Sequence, residues 1–289
     1  MKRFLLLLIL IGINYSNVAA QDRSVKVSGK YQNDLESSNL KGKVKSTTCY
    51  EYKADKNNEG LNTNWDYKSI YSFNNSGNIE GISMYNQQNR IVLSLNTYDK
   101  KGRIASTIDK KGGSGNFSEY SYNNKQNLIE CVYSKNRLVF RFIYNKFGKR
   151  DTMYSYDIRE KLSSKVIYNY DKRSNCIQEL WYKSDGSLDK INEYIYDQQN
   201  KRIQESNYDS NRIKTSKIVY TYDKRNNLIL ALDSNIIFIG GSPRKKLDDN
   251  IYSRTFKYES FDKYGNWLKK SVMIDDKPVQ ITKREITYY

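Results

Sequence analysis

The chain of 289 residues contains no histidine. That absence removes the imidazole base of Ser-His-Asp and Cys-His catalysis and the commonest metal ligand. Cys49, Cys131 and Cys176 are too scattered for a zinc site. No Walker, dinucleotide-binding or EF-hand motif occurs. Carboxylates are plentiful, so composition allows a two-carboxylate glycosidase, one acid protonating the leaving oxygen and one base activating water. Nothing singles out such a pair. Aspartate instead recurs after an aromatic residue and ahead of a polar turn, where its expected role is to accept backbone N–H bonds. The predicted anchors are Tyr98, Asp99, Gly102, Tyr170, Asp171, Tyr196, Asp197, Tyr222, Asp223, Asp262 and Gly265. No catalytic residue, metal ligand or cofactor site is predicted.

Binding chemistry is better represented. Formal net charge is +17, or +15 without Lys2 and Arg3, a bias that attracts polyanions such as acidic polysaccharide, lipopolysaccharide phosphates or nucleic acid. Cations that merely decorate a solvent face and guard strand edges would give the same total. The turn cations Lys172, Arg173, Lys224 and Arg225 are the predicted ligand contacts. Among 27 tyrosines, same-face pairs such as Tyr168 and Tyr170 read first as cross-strand packing. Trp181, opposite in parity to Leu180 and Tyr182, is the best candidate for a stacking platform. Trp65 and Trp267 read as caps near the array ends. The glycine-rich stretch Lys110 to Asn116 reads as a flexible turn, with no helix behind it to cradle a phosphate.

These residues sit in a repeat. The phrase is aromatic, Asp or Asn, polar residues with Gly or Asn, then Ile or Leu. Its Asp or Asn falls at Asn74, Asp99, Asn123, Asn145, Asp171, Asp197, Asp223 and Asp262, in steps of 22 to 26 residues and one of 39. Such a period marks a repeat array. Each unit holds two period-two stretches, such as Lys165 to Tyr170 and Cys176 to Tyr182, rich in β-branched and aromatic residues. A second aromatic recurs at Tyr85, Tyr156, Tyr182 and Tyr208. Eight units give roughly sixteen strands of about 6–9 residues. The expected fold is an all-β antiparallel meander, curled into a twisted, spiral or partly closed sheet because twist accumulates. No helix is expected after the first twenty residues. Neither Pro243 nor Pro278 interrupts a repeat.

The first twenty residues read as a signal peptide: Lys2 and Arg3, an apolar run from Phe4 to Ile13, and Val18-Ala19-Ala20 as the cleavage site. Export to the periplasm, cell surface or medium follows. Residues 21–66 carry a strand from Lys43 to Lys53 and a polar loop from Lys53 to Asn64. The array occupies 67–289, with an insertion at 231–256 that reads as a longer hairpin or a functional loop. Three cysteines allow at most one internal bridge. Cys176 stands where Leu128 and Leu228 stand in other units, which reads as a small buried hydrophobe.

The phrase resembles the YD repeat of RHS-type proteins, most closely at Tyr98 to Ile104, with looser copies headed by Asp171, Asp197 and Asp223. The ends, Leu40 to Ser46 and Tyr50-Glu51-Tyr52, then Tyr264 to Leu268 and Lys283 to Tyr289, resemble small exported YD-repeat-like proteins from Bacteroidetes. The resemblance implies a coiling strand-turn-strand sheet and an association with carbohydrate binding. This chain ends in a repeat rather than in a toxin domain. The expected function is a non-enzymatic binding or scaffold protein that engages an acidic glycan or a surface protein. Alternatives are a polysaccharide hydrolase using an Asp/Glu pair and an outer-membrane β-barrel. Strands rich in Lys, Asn, Glu and Ser, with mean hydropathy −0.83, argue against lipid-facing walls. No transmembrane helix follows the leader, and export argues against a physiological nucleic-acid partner.

Overall fold

The computed structural model describes residues 33–53, 64–111, 114–122, 129–135, 137–235, 238–239, 242–243, 251–274 and 276–289. The leader with its cleavage site at Ala20, Asn123, Leu128 and most of the polar part of the 231–256 insertion lie outside them. The strands are β1 (Val44–Lys53), β2 (Tyr67–Phe73), β3 (Ile79–Asn86), β4 (Arg90–Tyr98), β5 (Ile104–Lys111), β6 (Ser114–Tyr122), β7 (Ile129–Ser134), β8 (Arg137–Tyr144), β9 (Arg150–Tyr156), β10 (Leu162–Tyr170), β11 (Cys176–Lys183), β12 (Leu188–Tyr196), β13 (Arg202–Asp209), β14 (Lys214–Tyr222), β15 (Leu228–Asn235), β16 (Phe238–Ile239), β17 (Ser242–Pro243), β18 (Ile251–Phe261), β19 (Trp267–Ile274) and β20 (Lys277–Tyr288).

Strands pair antiparallel in chain order, β15 joins β18, and the insertion forms the separate hairpin β16–β17. The last strand returns to the first: β20 pairs with β1 from Val44↔Tyr288 to Lys53↔Gln280. The sheet is therefore a closed barrel of 18 antiparallel strands. This corrects the expected twisted, spiral or partly closed sheet of about sixteen strands. The meander is as expected, but its two ends form a ladder that no local pattern announces. Closure removes both free edges and absorbs the accumulated twist.

Side chains alternate between two faces. The face holding Tyr98, Phe142, Tyr168, Tyr194, Arg284 and Tyr288 is the more buried, as the concave side of a closed ring must be. Residues just before the tyrosines point the other way, and Ile143 and Ile195 are 42% and 49% exposed. Apolar burial is concentrated near one rim. There Ile104, Ile129, Val132, Phe142, Met153 and Val166 pack together beneath Tyr98, Tyr122 and Tyr144.

The same rim carries the repeat turns. In each, the Asp or Asn N–H donates to the carbonyl four residues on, and its Oδ1 accepts two backbone N–H bonds. For Asp223 the donors are Arg225 and Asn227, both at 2.8 Å. The preceding tyrosine then ties its turn to the turn before it. Tyr98 donates to the Ile79 carbonyl, Tyr122 to Ile104, Tyr144 to Ile129, Tyr170 to Arg150, Tyr196 to Cys176, Tyr222 to Arg202 and Tyr258 to Leu228, at 2.5 to 3.0 Å. At the closing seam Tyr289 donates to Phe73 at 2.5 Å.

Three further expectations are corrected. A one-turn helix, α1 (Asp34–Ser37), does follow the leader. It lies at this rim because Asp34 accepts the Ile79 N–H at 2.6 Å and Leu35 donates to Gly77 at 3.0 Å. Leu35 and Leu40 cover Phe73 and Ile82, beside Tyr71 and Tyr288. Of the stretch Lys110 to Asn116, Lys110, Lys111 and Ser114 to Asn116 are ladder, with Lys111 opposite Ser114, while Gly112 and Gly113 lie outside the described residues. Trp267 opens β19 on the inner wall instead of capping the array.

The fourth turn residue is left-handed in each case: Gly102 at φ 73°, Ser174 at 70°, Asn200 at 62°, Asn226 at 67°. That conformation costs a residue with a Cβ about 1–2 kcal/mol. A Cβ on Gly102 would meet no atom within 4 Å, so the cost there is backbone alone. Ser174→Gly should stabilise the protein by about 0.5–1 kcal/mol and Gly102→Ala should destabilise it by about 1 kcal/mol. Urea unfolding of the two variants checks the turn geometry; equal stability of both with the parent would contradict it.

Candidate functional site: a basic rim and a polar inner wall

The repeat turns leave lysines exposed beside engaged carboxylates. Every turn carboxylate is drawn inward onto backbone donors. Asp171 accepts from Arg173 and Asn175 N–H at 2.9 and 2.8 Å. Asp99, Asp197 and Asp262 do the same in their turns. The cations beside them point outward: Lys100, Lys101, Lys146, Lys172, Lys224 and Lys263 are all exposed. The opposite rim also presents exposed cations, Lys110, Lys111, Lys135, Arg159, Lys161, Lys183, Arg212 and Lys277, among exposed Asp157, Glu160, Asp185 and Asp276, and its Asp157 and Asp209 likewise accept backbone N–H bonds. Both ends of the barrel therefore present an excess of exposed cations among the described residues, and at the repeat-turn rim the carboxylates are engaged by the backbone, so that rim is a basic surface that steers polyanions toward itself.

The predicted ligand residues separate into two places. Lys172 and Lys224 are exposed and, among the described residues, make no ion pair. Arg173 is partly committed: its Nη1 donates to the Asp197 carbonyl at 2.7 Å and its Nε lies 3.7 Å from Asp171, tying adjacent turns. Arg225 lies 4.4 Å from the Phe261 ring and its carbonyl accepts Asn39 Nδ2 at 3.3 Å. Trp181 does not join them. It faces the inner wall, five residues along β11 from the rim, or about 17 Å. Its Nε1 donates to Glu179 at 3.1 Å and the Lys190 ammonium lies 4.4 Å from its ring. No disulfide joins Cys49, Cys131 and Cys176, all half-buried.

The inner wall carries ionisable residues that sequence reading passed over. Glu179 also accepts from Asn192 at 3.0 Å. Arg202 pairs with Glu205 at 3.3 Å and lies 4.1 Å from the Tyr194 ring. Arg254 pairs with Asp233 at 3.5 Å. Glu205 and Asp233 share an inner row on either side of Ile218. Each pairs with its own arginine, and Asp233 Oδ1 has no hydrogen-bond partner among the described residues. Across β19, β20 and β1 stand Lys270, Thr282, Arg284, Cys49 and Glu51. The available signal was inward parity in strands already predicted; what was missing was which distant strands adjoin. Among the described residues no cluster of His, Cys, Asp and Glu could hold a metal ion.

No family model matches the chain, and no curated protein does. Solved structures do. A porin-like protein from Bacteroides uniformis matches 84% of this chain and 98% of its own, at 9% identity and TM-score 0.47. A porin-like protein from Bacteroides vulgatus matches 73% and 98%, at 12% and 0.37. The Tc holotoxin pore of Photorhabdus luminescens matches 81% of this chain but 13% of its own, at 16% and 0.35. With TM-scores below 0.5 these likenesses carry no argument, and function is read from this chain's own geometry.

The turn bonds have a pH signature. Partial burial pushes the carboxyls of Asp99, Asp171, Asp223 and Asp262 up, but side-chain and backbone donors prevail and hold them below the usual range. Folded values below the unfolded value of about 3.9 mean stability that is complete above that pH and lost as pH falls through the folded values. Asp223→Asn, the residue type found at Asn74 and Asn145, should keep the turn and remove its share of acid sensitivity. Asp223→Ala should cost about 1–3 kcal/mol at neutral pH. Denaturant unfolding from pH 3 to 7 checks both; a parent-like acid limb in the Asn variant would refute the assignment.

Proposed function

We propose that the chain is an exported, non-enzymatic binding barrel that engages an acidic glycan at its basic rim. The observation that supports this reading is the division of labour in the repeat turns: carboxylates turn inward onto backbone N–H groups while Lys100, Lys101, Lys146, Lys172, Lys224 and Lys263 are exposed and, among the described residues, make no ion pair. The leader segment supports export. The resemblance of the phrase at Tyr98 to Ile104 to YD repeats supports carbohydrate as the ligand class. The absence of histidine and the pairing of Glu205 and Asp233 with arginines support a binding rather than a hydrolytic role.

A second reading is a barrel in the outer membrane. Ring closure and the outward row Leu95, Ile108 and Phe117 favour it. Against it, Lys257, Lys283 and Glu285 stand exposed on the outer face of β18 and β20, where lipid would impose about 2–4 kcal/mol per cation at the midplane. Recovery of the chain from Gln21 to Tyr289 as a detergent-free monomer would support the binding barrel; strict need for detergent would support the membrane reading.

Charge reversal of Lys172, Arg173, Lys224 and Arg225 to Glu should weaken binding to polygalacturonate by about tenfold or more at low salt, and binding by the parent should decline as salt rises. Neutral dextran should bind neither protein. Unchanged polygalacturonate affinity in the fourfold variant would overturn the rim as the contact.

A further inference from the structure

The inner wall across β19, β20 and β1 holds polar groups that are only partly satisfied within the protein. Lys270 stands opposite Thr282, and Thr282 opposite Glu51, so the three form one row across three strands. Strand spacing puts Lys270 and Glu51 about 10 Å apart with Thr282 between them. Among the described residues, Lys270 and Glu51 make neither an ion pair nor a side-chain hydrogen bond. The Lys270 ammonium lies 5.3 Å from the Trp267 ring. Thr282 is 3% exposed and its Oγ1 has no hydrogen-bond partner. One step toward the rim, Arg284 donates through Nε to the Trp267 carbonyl at 2.9 Å and lies 3.7 Å from that ring, with Cys49 opposite. The rest of its guanidinium fork is available on the same face as Lys270.

An unpaired buried hydroxyl costs about 1–3 kcal/mol, and an unpaired half-buried charge costs more. Other inner-wall charges avoid that cost by pairing, as Arg202 does with Glu205 and Arg254 with Asp233. Here two cations and one carboxyl flank a vacant hydroxyl and do not reach one another. Burial draws the Lys270 ammonium below the ordinary lysine range and raises the Glu51 carboxyl above the ordinary carboxylate range. Lys270, Glu51 and Arg284 nevertheless keep some solvent contact, so a solute inside the barrel can reach them.

We infer that this row binds a small hydroxylated carboxylate, namely a uronic-acid unit of the acidic glycan. Its carboxylate sits between Lys270 and Arg284, in line with charge-assisted pairing. Its hydroxyls pair with Thr282 Oγ1 and the Glu51 carboxyl. The inference rests on the acidic-glycan reading and adds a second contact to it: the rim gathers the polymer by charge and the inner row recognises one sugar. A neutral hexose of the same size leaves both cations unpaired and is rejected.

Calorimetry on the full mature chain with glucuronate, glucose and a glucuronate-containing oligosaccharide tests it. Glucuronate should bind and glucose should not. Lys270→Met should weaken glucuronate binding at least tenfold and leave the fold as stable or more so by urea unfolding. Thr282→Val should weaken it severalfold. The fourfold rim variant should keep monosaccharide binding and lose affinity for the oligosaccharide. Equal behaviour of glucuronate and glucose, or no effect of Lys270→Met, would overturn the inner site. Oligosaccharide binding lost in the rim variant but untouched by Lys270→Met would overturn the inner site and leave the rim reading standing. Oligosaccharide binding untouched in the rim variant but lost in Lys270→Met would do the reverse.

Discussion

The ladder between β20 and β1 joins residues more than two hundred positions apart, from Val44↔Tyr288 to Lys53↔Gln280. A meander of this width with two free edges would expose unpaired N–H and C=O groups along its first and last strands, a template for edge-to-edge association. Pairing those strands satisfies both rows at once. Closure also creates an inside. Without it, the face holding Tyr168, Tyr194 and Arg284 would be an ordinary solvent surface; with it, that face becomes a concave wall on which side chains converge and charges lie partly out of water.

The repeat turns make closure reproducible. Each Asp or Asn fixes its turn through two backbone N–H donors, and the tyrosines link turn to turn by donating to the carbonyl of the first residue after the preceding turn. A chain of hydroxyl-to-carbonyl bonds runs around one rim, and Tyr289 extends it across the seam to Phe73. The charge pattern follows from this local chemistry. Aspartates are consumed by the turn, so lysines at neighbouring positions have no anion to face and the rim is left positive. The same local chemistry recurs at Asp157 and Asp209 on the opposite rim, so the residues that build the turns also leave exposed cations at both ends.

The inner wall follows a different rule. A ring of 18 strands encloses more space than side chains fill in small barrels, so its lining need not be wholly apolar. Apolar burial is gathered under the rim, in the cluster around Phe142, Met153 and Val166 and in that beneath Leu35 and Leu40. Farther along the strands, Glu179, Arg202, Asp233 and Arg254 are paired, and the Lys270–Thr282–Glu51 row is not. A wall held in place by its backbone ladder can carry such unsatisfied groups because its stability does not depend on them.

The residue pattern by itself determined the all-β class, the strand–turn–strand unit, the structural role of each turn Asp, and the location of Lys172, Arg173, Lys224 and Arg225 in turns. These are local properties: side-chain alternation, the tolerance of Gly and Asn for positive φ, and hydrogen bonds spanning four residues or fewer. Tertiary structure alone decided the rest. Closure depends on a register between β1 and β20 that no short-range pattern encodes, and α1 owes its one turn to the Asp34 bond with Ile79. Trp181 has the same parity in either picture, but only the curvature of a closed ring makes that parity inward. Lys270, Thr282 and Glu51 meet because ring closure places β19, β20 and β1 side by side, and a long-range strand order is a property of the whole chain's packing rather than of any segment.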